Sequence, residues 1–244
     1  MKKIVAIIGS ANKEGNTFRT VDRFLNCFSN EKYVKEIIFL SDYKIKICLG
    51  CNSCFFYGKC SLDEQDDMKI IKRKLEEADI LIFATPVYIR NISSLMKVFL
   101  DRIAYWTHLM KLKGKIGVVV ATTATTGIDE VISYLFHLMS HLGITVVGTI
   151  CYYFNYSNYL DKQIKHVYDN ISDIETGIIP MYTSNLTESI FLSLKKLYSN
   201  IYTTNTTNSE AKYWKMHHFF EYNKLLDIIM NEKKITKKKE EETL

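Results

Sequence analysis

Five short apolar runs recur through the first 155 residues: KIVAIIG (3–9), YVKEIIFL (33–40), ILIFATP (80–86), KIGVVVATT (115–123) and TVVGTICYY (145–153). They are rich in β-branched residues. The first is continuous and closes on a glycine, the pattern of a strand covered on both faces. Between the runs the period changes. In TFRTVDRFLNCF (17–28), Val21, Phe24, Leu25 and Phe28 recur at helical spacing. DEQDDMKIIKRKLEEAD (63–79) opens acidic and turns basic, which predicts a helix with acidic residues in its first turn. SSLMKVFLDRIAYW (93–106) and IDEVISYLFHLMSHL (128–142) read as further helices. Strands alternating with helices at this spacing predict βαβ units. Right-handed crossovers then give an α/β fold: an open five-stranded parallel sheet with helices on both faces.

Beyond about residue 155 the strand pattern stops. Residues 161–174 and 187–202 look helical, SNIYTTNTTNS (199–209) reads as a polar connector, and 210–234 predicts one helix or two short pieces. The expected organisation is a sheet domain over 1–155, a mostly helical C-terminal extension over 156–234 and a charged tail over 235–244. The extension is expected to pack on the core or on a neighbouring subunit.

Composition narrows this further. Hydrophobic residues at 47% and charged residues at 24% fit an ordinary globular protein. The net charge of +5 is modest and partly carried by the tail KKITKKKEEETL. No nucleic-acid partner is therefore expected. The run Ile4–Ile8 is shorter than the roughly 7–15 apolar residues of an export signal. No stretch approaches the roughly 20 of a membrane span. These features predict a cytoplasmic protein with no membrane partner.

In open α/β sheets, ligands bind beyond the C-terminal ends of the strands. The first such end is GSANKEGNT (9–17). Here the start of a helix presents free N–H groups beside Ser10, Asn12, Gly15, Asn16 and Thr17. Neither a Walker A loop nor GxGxxG is present, so neutral donors holding a phosphomonoester are predicted. The bland alternative is a polar turn with helix-capping residues. The second end is TPVYIRN (85–91), which places Pro86, Val87, Tyr88 and Asn91. The third is ATTATTG (121–127), a small-residue loop with Thr122, Thr123 and Gly127. A phosphate site, an aromatic shelf and a flat donor-rich wall together suit FMN.

CLGCNSCFFYGKC (48–60) places Cys48, Cys51, Cys54 and Cys60 within one loop. Gaps of two residues let thiolates converge, as in [4Fe–4S] ligation. Zinc, a redox pair and a loop merely lined by cysteines are the other readings. Cys27 and Cys151 read as buried small hydrophobes. Adjacent His217 and His218 point apart and share no metal. Asp101 and Arg102 are expected in local salt bridges. In Asp66-Asp67-Met68, helix capping is expected, with one carboxylate on loop amides. The run YYFNYSNY (152–159) would shelter a ligand or pack at an interface.

Three of these segments carry a family likeness. GSANKEGNT resembles the phosphate loop GSxRxxGNT of the NADPH-dependent FMN reductase and multimeric flavodoxin-like families. PVYIRNISSLMKVFLDR is similar to their PxYxxxxSxxxKxFxDR, and CLGCNSCFFYGKCSLDEQDDM to the CxxCxxCxxxxxC…DDM of iron–sulfur flavoproteins. Tyr213-Trp214 is also similar to a pair in their C-terminal extension. Asn12 stands where Arg is frequent, and ATTATTG is poorer in glycine than many relatives. The likeness implies a flavodoxin-like fold, bound FMN, NAD(P)H as donor, and a homodimer or homotetramer. It further implies a [4Fe–4S] cluster on the four cysteines. The expected function is an FMN-dependent oxidoreductase passing electrons from NAD(P)H or ferredoxin to a quinone-, nitro- or flavin-type acceptor. Loop amides of 121–127 would stabilise the reduced flavin, and no dedicated general base is expected. The alternatives are a non-enzymatic electron carrier and a thiol or metal sensor.

Overall fold

The computed structural model describes residues 1–154 and 159–241. Strands β1 (Lys2–Ile8), β2 (Tyr33–Phe39), β3 (Ile80–Pro86), β4 (Ile116–Thr123) and β5 (Thr145–Tyr153) form one all-parallel sheet. Its order is β2-β1-β3-β4-β5, the doubly wound flavodoxin-like order. In β1, Ile4 to Ile8 have no solvent exposure, because helices cover both faces of this inner strand. β2 lies at an edge and is only partly buried, which matches its mixed sequence YVKEIIF. The chain leaves β1 toward β2 and returns on the other side as β3. That reversal opens a crevice at the C-terminal end of β1.

One face of the sheet packs against α1 (Asn16–Leu25) and α7 (Leu160–Thr176), joining Val21, Phe24 and Leu25 to Ile164, Val167 and Ile171. The opposite face packs against α3 (Met68–Glu77), α4 (Ser94–Arg102), α5 (Trp106–Leu109) and α6 (Ile128–His141). A third core lies among α8 (Asn185–Thr204), α9 (Ser209–Met216) and α10 (Leu225–Glu241). At its centre Trp214 stacks between Phe191 and Tyr198, with ring centroids 5.6 and 5.5 Å away. Its Nε1 donates to the His108 carbonyl at 2.9 Å, tying this core to the sheet domain. No helix among the described residues is long and apolar enough to cross a membrane.

Several element ends differ from expectation, each for a tertiary reason. The acidic run 63–67 lies outside α3, which starts at Met68, because Asp63 and Asp66 turn back to bind Arg102. The segment 93–106 divides into α4 and the start of α5. Residues 199–204 remain in α8, where Ile201 and Tyr202 pack against the third core, so the connector shrinks to 205–208. Stretch 210–234 is two helices around a short 3₁₀ turn, Phe219–Glu221, and α10 continues to Glu241 through the expected tail. Cys27 is exposed and Cys151 half-buried; neither is a fully buried hydrophobe. α1 ends at Leu25, so position 27 no longer follows the buried helix face. Arg102 pairs with residues 36 and 39 positions away, not locally, whereas Asp101 does pair locally with Lys97.

Candidate functional site

Beyond the C-terminal ends of β1, β3 and β4 lies a cleft of about 280 Å³. Its floor is the 9–17 loop, contributing Ser10, Asn12, Gly15, Asn16 and Thr17. Gly9 begins that loop against α4, where a Cβ would lie 2.8 Å from Met96 Cβ and from Ser93 Oγ. Asn12 shapes the loop: its backbone N–H donates to Ser10 Oγ at 3.2 Å, and its Oδ1 accepts from the Glu14 N–H at 3.0 Å. Gly15 occupies the N-cap of α1 without a side-chain cap. An uncapped helix start carries partial positive charge and unpaired N–H groups, so it attracts an anion. The cation nearest in sequence, Lys13, is tied to Asp42 at 2.7 Å and lies over the Phe39 ring. The donors facing the cleft are therefore neutral.

The other two loops form the walls. Pro86, Val87 and Tyr88 come from one, and Thr122, Thr123 and Ala124 from the other. They are fastened together: the Val87 N–H donates to the Thr122 carbonyl at 2.8 Å, and Thr17 and Thr122 share a buried hydroxyl contact of 2.8 Å. Asn91 does not line the cleft. It closes a tight turn, pairing with Tyr88 through backbone bonds of 2.9 and 3.0 Å. Gly127 also stands behind the wall. Its φ is +88°, and a Cβ there would come within 2.7 Å of Arg90 Cα, so glycine lets the two loops close. Phe154, from the run 152–159 expected to shelter a ligand or pack at an interface, lines the cleft. Residues 155–158 of that run lie outside the described residues.

The cysteine loop emerges beside α4 and α5. Asn52, at φ +57°, leads into the short helix α2 (Ser53–Tyr57). Cys48 and Cys51 are exposed; Cys54 and Cys60 are half-buried. The Cys51 thiol is lowered to about 7 by hydrogen bonding to Ser53 and Ser61, whereas burial raises Cys54. Among the described residues, no three His, Cys, Asp or Glu side chains gather as a metal site. The donors fit a thiophilic metal in kind, but their placement does not bring such a set together.

The loop is held by a buried ion network. Arg102 pairs with Asp66 and with Asp63 at 3.0 Å, and donates to the Lys46 carbonyl at 2.9 Å. The Lys46 N–H in turn donates to Asp66 at 2.9 Å, as expected of a carboxylate on loop amides. Burial raises Asp66; Arg102 and the amides outweigh it and hold the carboxyl below its ordinary range. From the other side, Ser209 Oγ donates to the Phe55 carbonyl at 2.6 Å, and the Phe55 ring stacks on His108. His108 and Tyr198 both bind the carboxylate of buried Glu210, at 3.0 and 2.6 Å. No local motif marks this clamp, because the contacts that join it to the cysteine loop, His108 to Glu210 and Ser209 to Phe55, span 102 and 154 positions.

Residues 2–158 match the sequence profile of a family described as NADPH-dependent FMN reductase. An iron-sulfur flavoprotein of Archaeoglobus fulgidus is 37% identical over 147 residues, covering 60% of this chain and 66% of that protein. One from Methanocaldococcus jannaschii is 37% identical over 123 residues, covering 50% and 63%. The chain thus spans a little under two thirds of the length of these relatives. Among solved structures, RosB with a bound riboflavin-phosphate intermediate superposes with a TM-score of 0.60 at 16% identity, covering 80% of this chain and 88% of RosB. A Bacillus anthracis FMN-dependent NADH-azoreductase in complex with FMN gives 0.54 at 17%, covering 71% and 99%. At these identities the likeness is one of fold.

Proposed function

The chain belongs to the NADPH-dependent FMN reductase family, and from that premise we propose that it is an FMN-dependent oxidoreductase taking electrons from NAD(P)H. The observation that carries this reading is the uncapped start of α1 opening into a cleft of neutral donors. Ser10, Asn12, Asn16 and Thr17 would hold the phosphate with the first-turn amides. Val87 and Tyr88 would lie on one side of the flavin ring and Thr122–Ala124 on the other. Bound FMN supplies two-electron uptake from a nicotinamide and delivery in one- or two-electron steps. The protein's part is to bind, orient and shield; no side chain is assigned proton transfer. Backbone N–H groups of the 121–127 loop are the donors available to stabilise negative charge on a reduced ring. The acceptor belongs to the quinone, nitro or flavin class.

The cleft, at about 280 Å³, is small for a cofactor site, just below the roughly 300–1,000 Å³ usual for ligand pockets. Tyr88 and Phe154 on its walls are 59% and 64% exposed, and neighbouring Ile89 is 99% exposed. A second copy of the chain covering these residues would complete the site, which supports a homo-oligomer. A [4Fe–4S] cluster on Cys48, Cys51, Cys54 and Cys60 is a separable part of the proposal. It is supported by the spacing and by the names of the relatives, and it requires the loop to contract. No step of the reaction is routed through it.

The test is a visible spectrum of anaerobically purified protein, with iron and sulfide assays, before and after NAD(P)H. Flavin bands that bleach with NAD(P)H support the enzyme. Bleaching by reduced ferredoxin alone supports an electron carrier, and absence of flavin overturns both. About four iron per chain makes the cysteines ligands; flavin without iron removes the cluster and leaves the reductase.

A further inference from the structure

A larger cavity, of about 490 Å³, lies beside the cysteine loop among α3, residues 105–111 and α9. It shares no lining residue with the flavin cleft. We propose that it is a second small-molecule site, shaped for a planar aromatic anion such as an aryl carboxylate or sulfonate.

Its base is aromatic: Tyr105 and Trp106 are buried there, and Tyr213 closes it from α9. Into this base is set Lys72, only 5% exposed. Lys72 donates to both oxygens of Asp63, at 2.9 and 2.6 Å, and lies over the Tyr105 and Trp106 rings. A lysine this buried is rare, and its carboxylate partner is shared with Arg102. Arg102 is itself balanced by Asp66, so Asp63 neutralises Lys72 in a closed ion network at an apolar surface, and the charge open to an anion lies on the rim.

The rim adds Lys69, Arg73 and Lys111, so the lining holds four cations against the carboxylates of Asp63 and Glu76. The partners of the rim cations are surface ones: Glu64 for Lys69, Glu77 for Arg73 at 3.7 Å, and Glu76 for Lys111 at 3.0 Å. Such exposed pairs are weak and solvent-screened, so the cations are available to a ligand. Aromatic faces accept a flat ring, and the rim cations accept its negative substituent. A fully aliphatic anion would leave the rings uncovered, and a neutral aromatic would leave the cations unused.

The test is calorimetric titration of the purified full-length protein with naphthalene-2-sulfonate and with neutral 2-naphthol. Saturable binding at one site per chain is expected for the sulfonate, with at least about tenfold weaker binding of the naphthol. Lys69→Glu with Arg73→Glu reverses two exposed charges. Ile70→Trp fills the mouth without changing charge. Each is expected to weaken the sulfonate at least about tenfold, while melting temperature and flavin content stay unchanged. A Thr17→Val control in the flavin cleft leaves sulfonate affinity intact. No saturation below about 1 mM, unchanged affinity in either cavity variant, or loss in the Thr17 control overturns the proposal. So does displacement by equimolar inorganic sulfate, which would reveal an anion patch indifferent to the ring.

Discussion

Thr17 and Thr122 stand 105 positions apart, and their hydroxyls meet at 2.8 Å inside the protein. One of the two must donate, so replacing either leaves the other without its partner. Thr17→Val is expected to cost about 1–2 kcal/mol in urea unfolding. It should also weaken FMN about tenfold in a fluorescence titration, because a phosphate donor goes with the hydroxyl. Asp66 is a different case, a carboxylate held below its ordinary 3.8 by Arg102 against the opposing effect of burial. A depressed carboxyl stabilises the fold fully above its unfolded value and loses that contribution as pH falls through the folded one. Melting temperature measured from about pH 5 to pH 2 should therefore fall steeply, and Asp66→Asn should flatten that limb. Its cost at neutral pH, about 3–5 kcal/mol for a broken buried pair, appears in the same series. At this scale the sequence was informative where chemistry is local. The hydroxyl and amide residues of 10–17 could be picked out because they follow a strand. Phe154 could be named only within the run 152–159, as ligand shelter or interface alike, because the alignment of β5 with β4 decides its place: its N–H meets the Thr123 carbonyl at 3.1 Å.

Among the elements, α1 is the one whose defect has a use. Its N-cap is glycine, with φ −74° and ψ 170°, a conformation open to any residue. A carboxylate there would cap the helix and oppose an incoming phosphate. A Cβ at Gly15 would lie 3.2 Å from the Asn12 carbonyl oxygen and Cγ, so the cap that Gly15→Asp gains, about 0.5–1 kcal/mol, is offset by crowding and thermal stability should stay unchanged. Flavin affinity should fall at least about tenfold. If both fall together, the helix start is not the phosphate site. The elements themselves were legible because buried parallel strands need unbroken β-branched runs and their helices need one apolar stripe. Their ends were not, because distant partners decide them. Asp63 and Asp66 leave the helix register to meet Arg102, and α8 runs on to Thr204, despite a composition suited to a connector, because Ile201 and Tyr202 pack against the third core.

Across the whole molecule, the third core fastens the C-terminal helices to the cysteine loop. Ser209 donates to Phe55 across 154 positions, and Glu210 holds His108 beneath the Phe55 ring. Ser209→Ala should loosen α2 without unfolding the sheet. Amide hydrogen exchange in residues 53–58 should speed up by about fivefold to tenfold, the equivalent of one lost hydrogen bond, with β1 and β3 unchanged. The sequence suggested an extension docked on the core or on a second copy, and no local pattern could choose between them. Trp214 packs within one chain because its indole N–H finds the His108 carbonyl there.

That fastening also sets a timetable. A ribosome adds roughly 5–20 residues per second, so the 154 positions between Phe55 and Ser209 take roughly 8 to 30 s to emerge. For that interval the four thiols are already made while the segment that holds α2 in place is not. Whatever reaches them then meets a cysteine loop without its hold from α9, Cys54 and Cys60 included, which are half-buried in the finished fold.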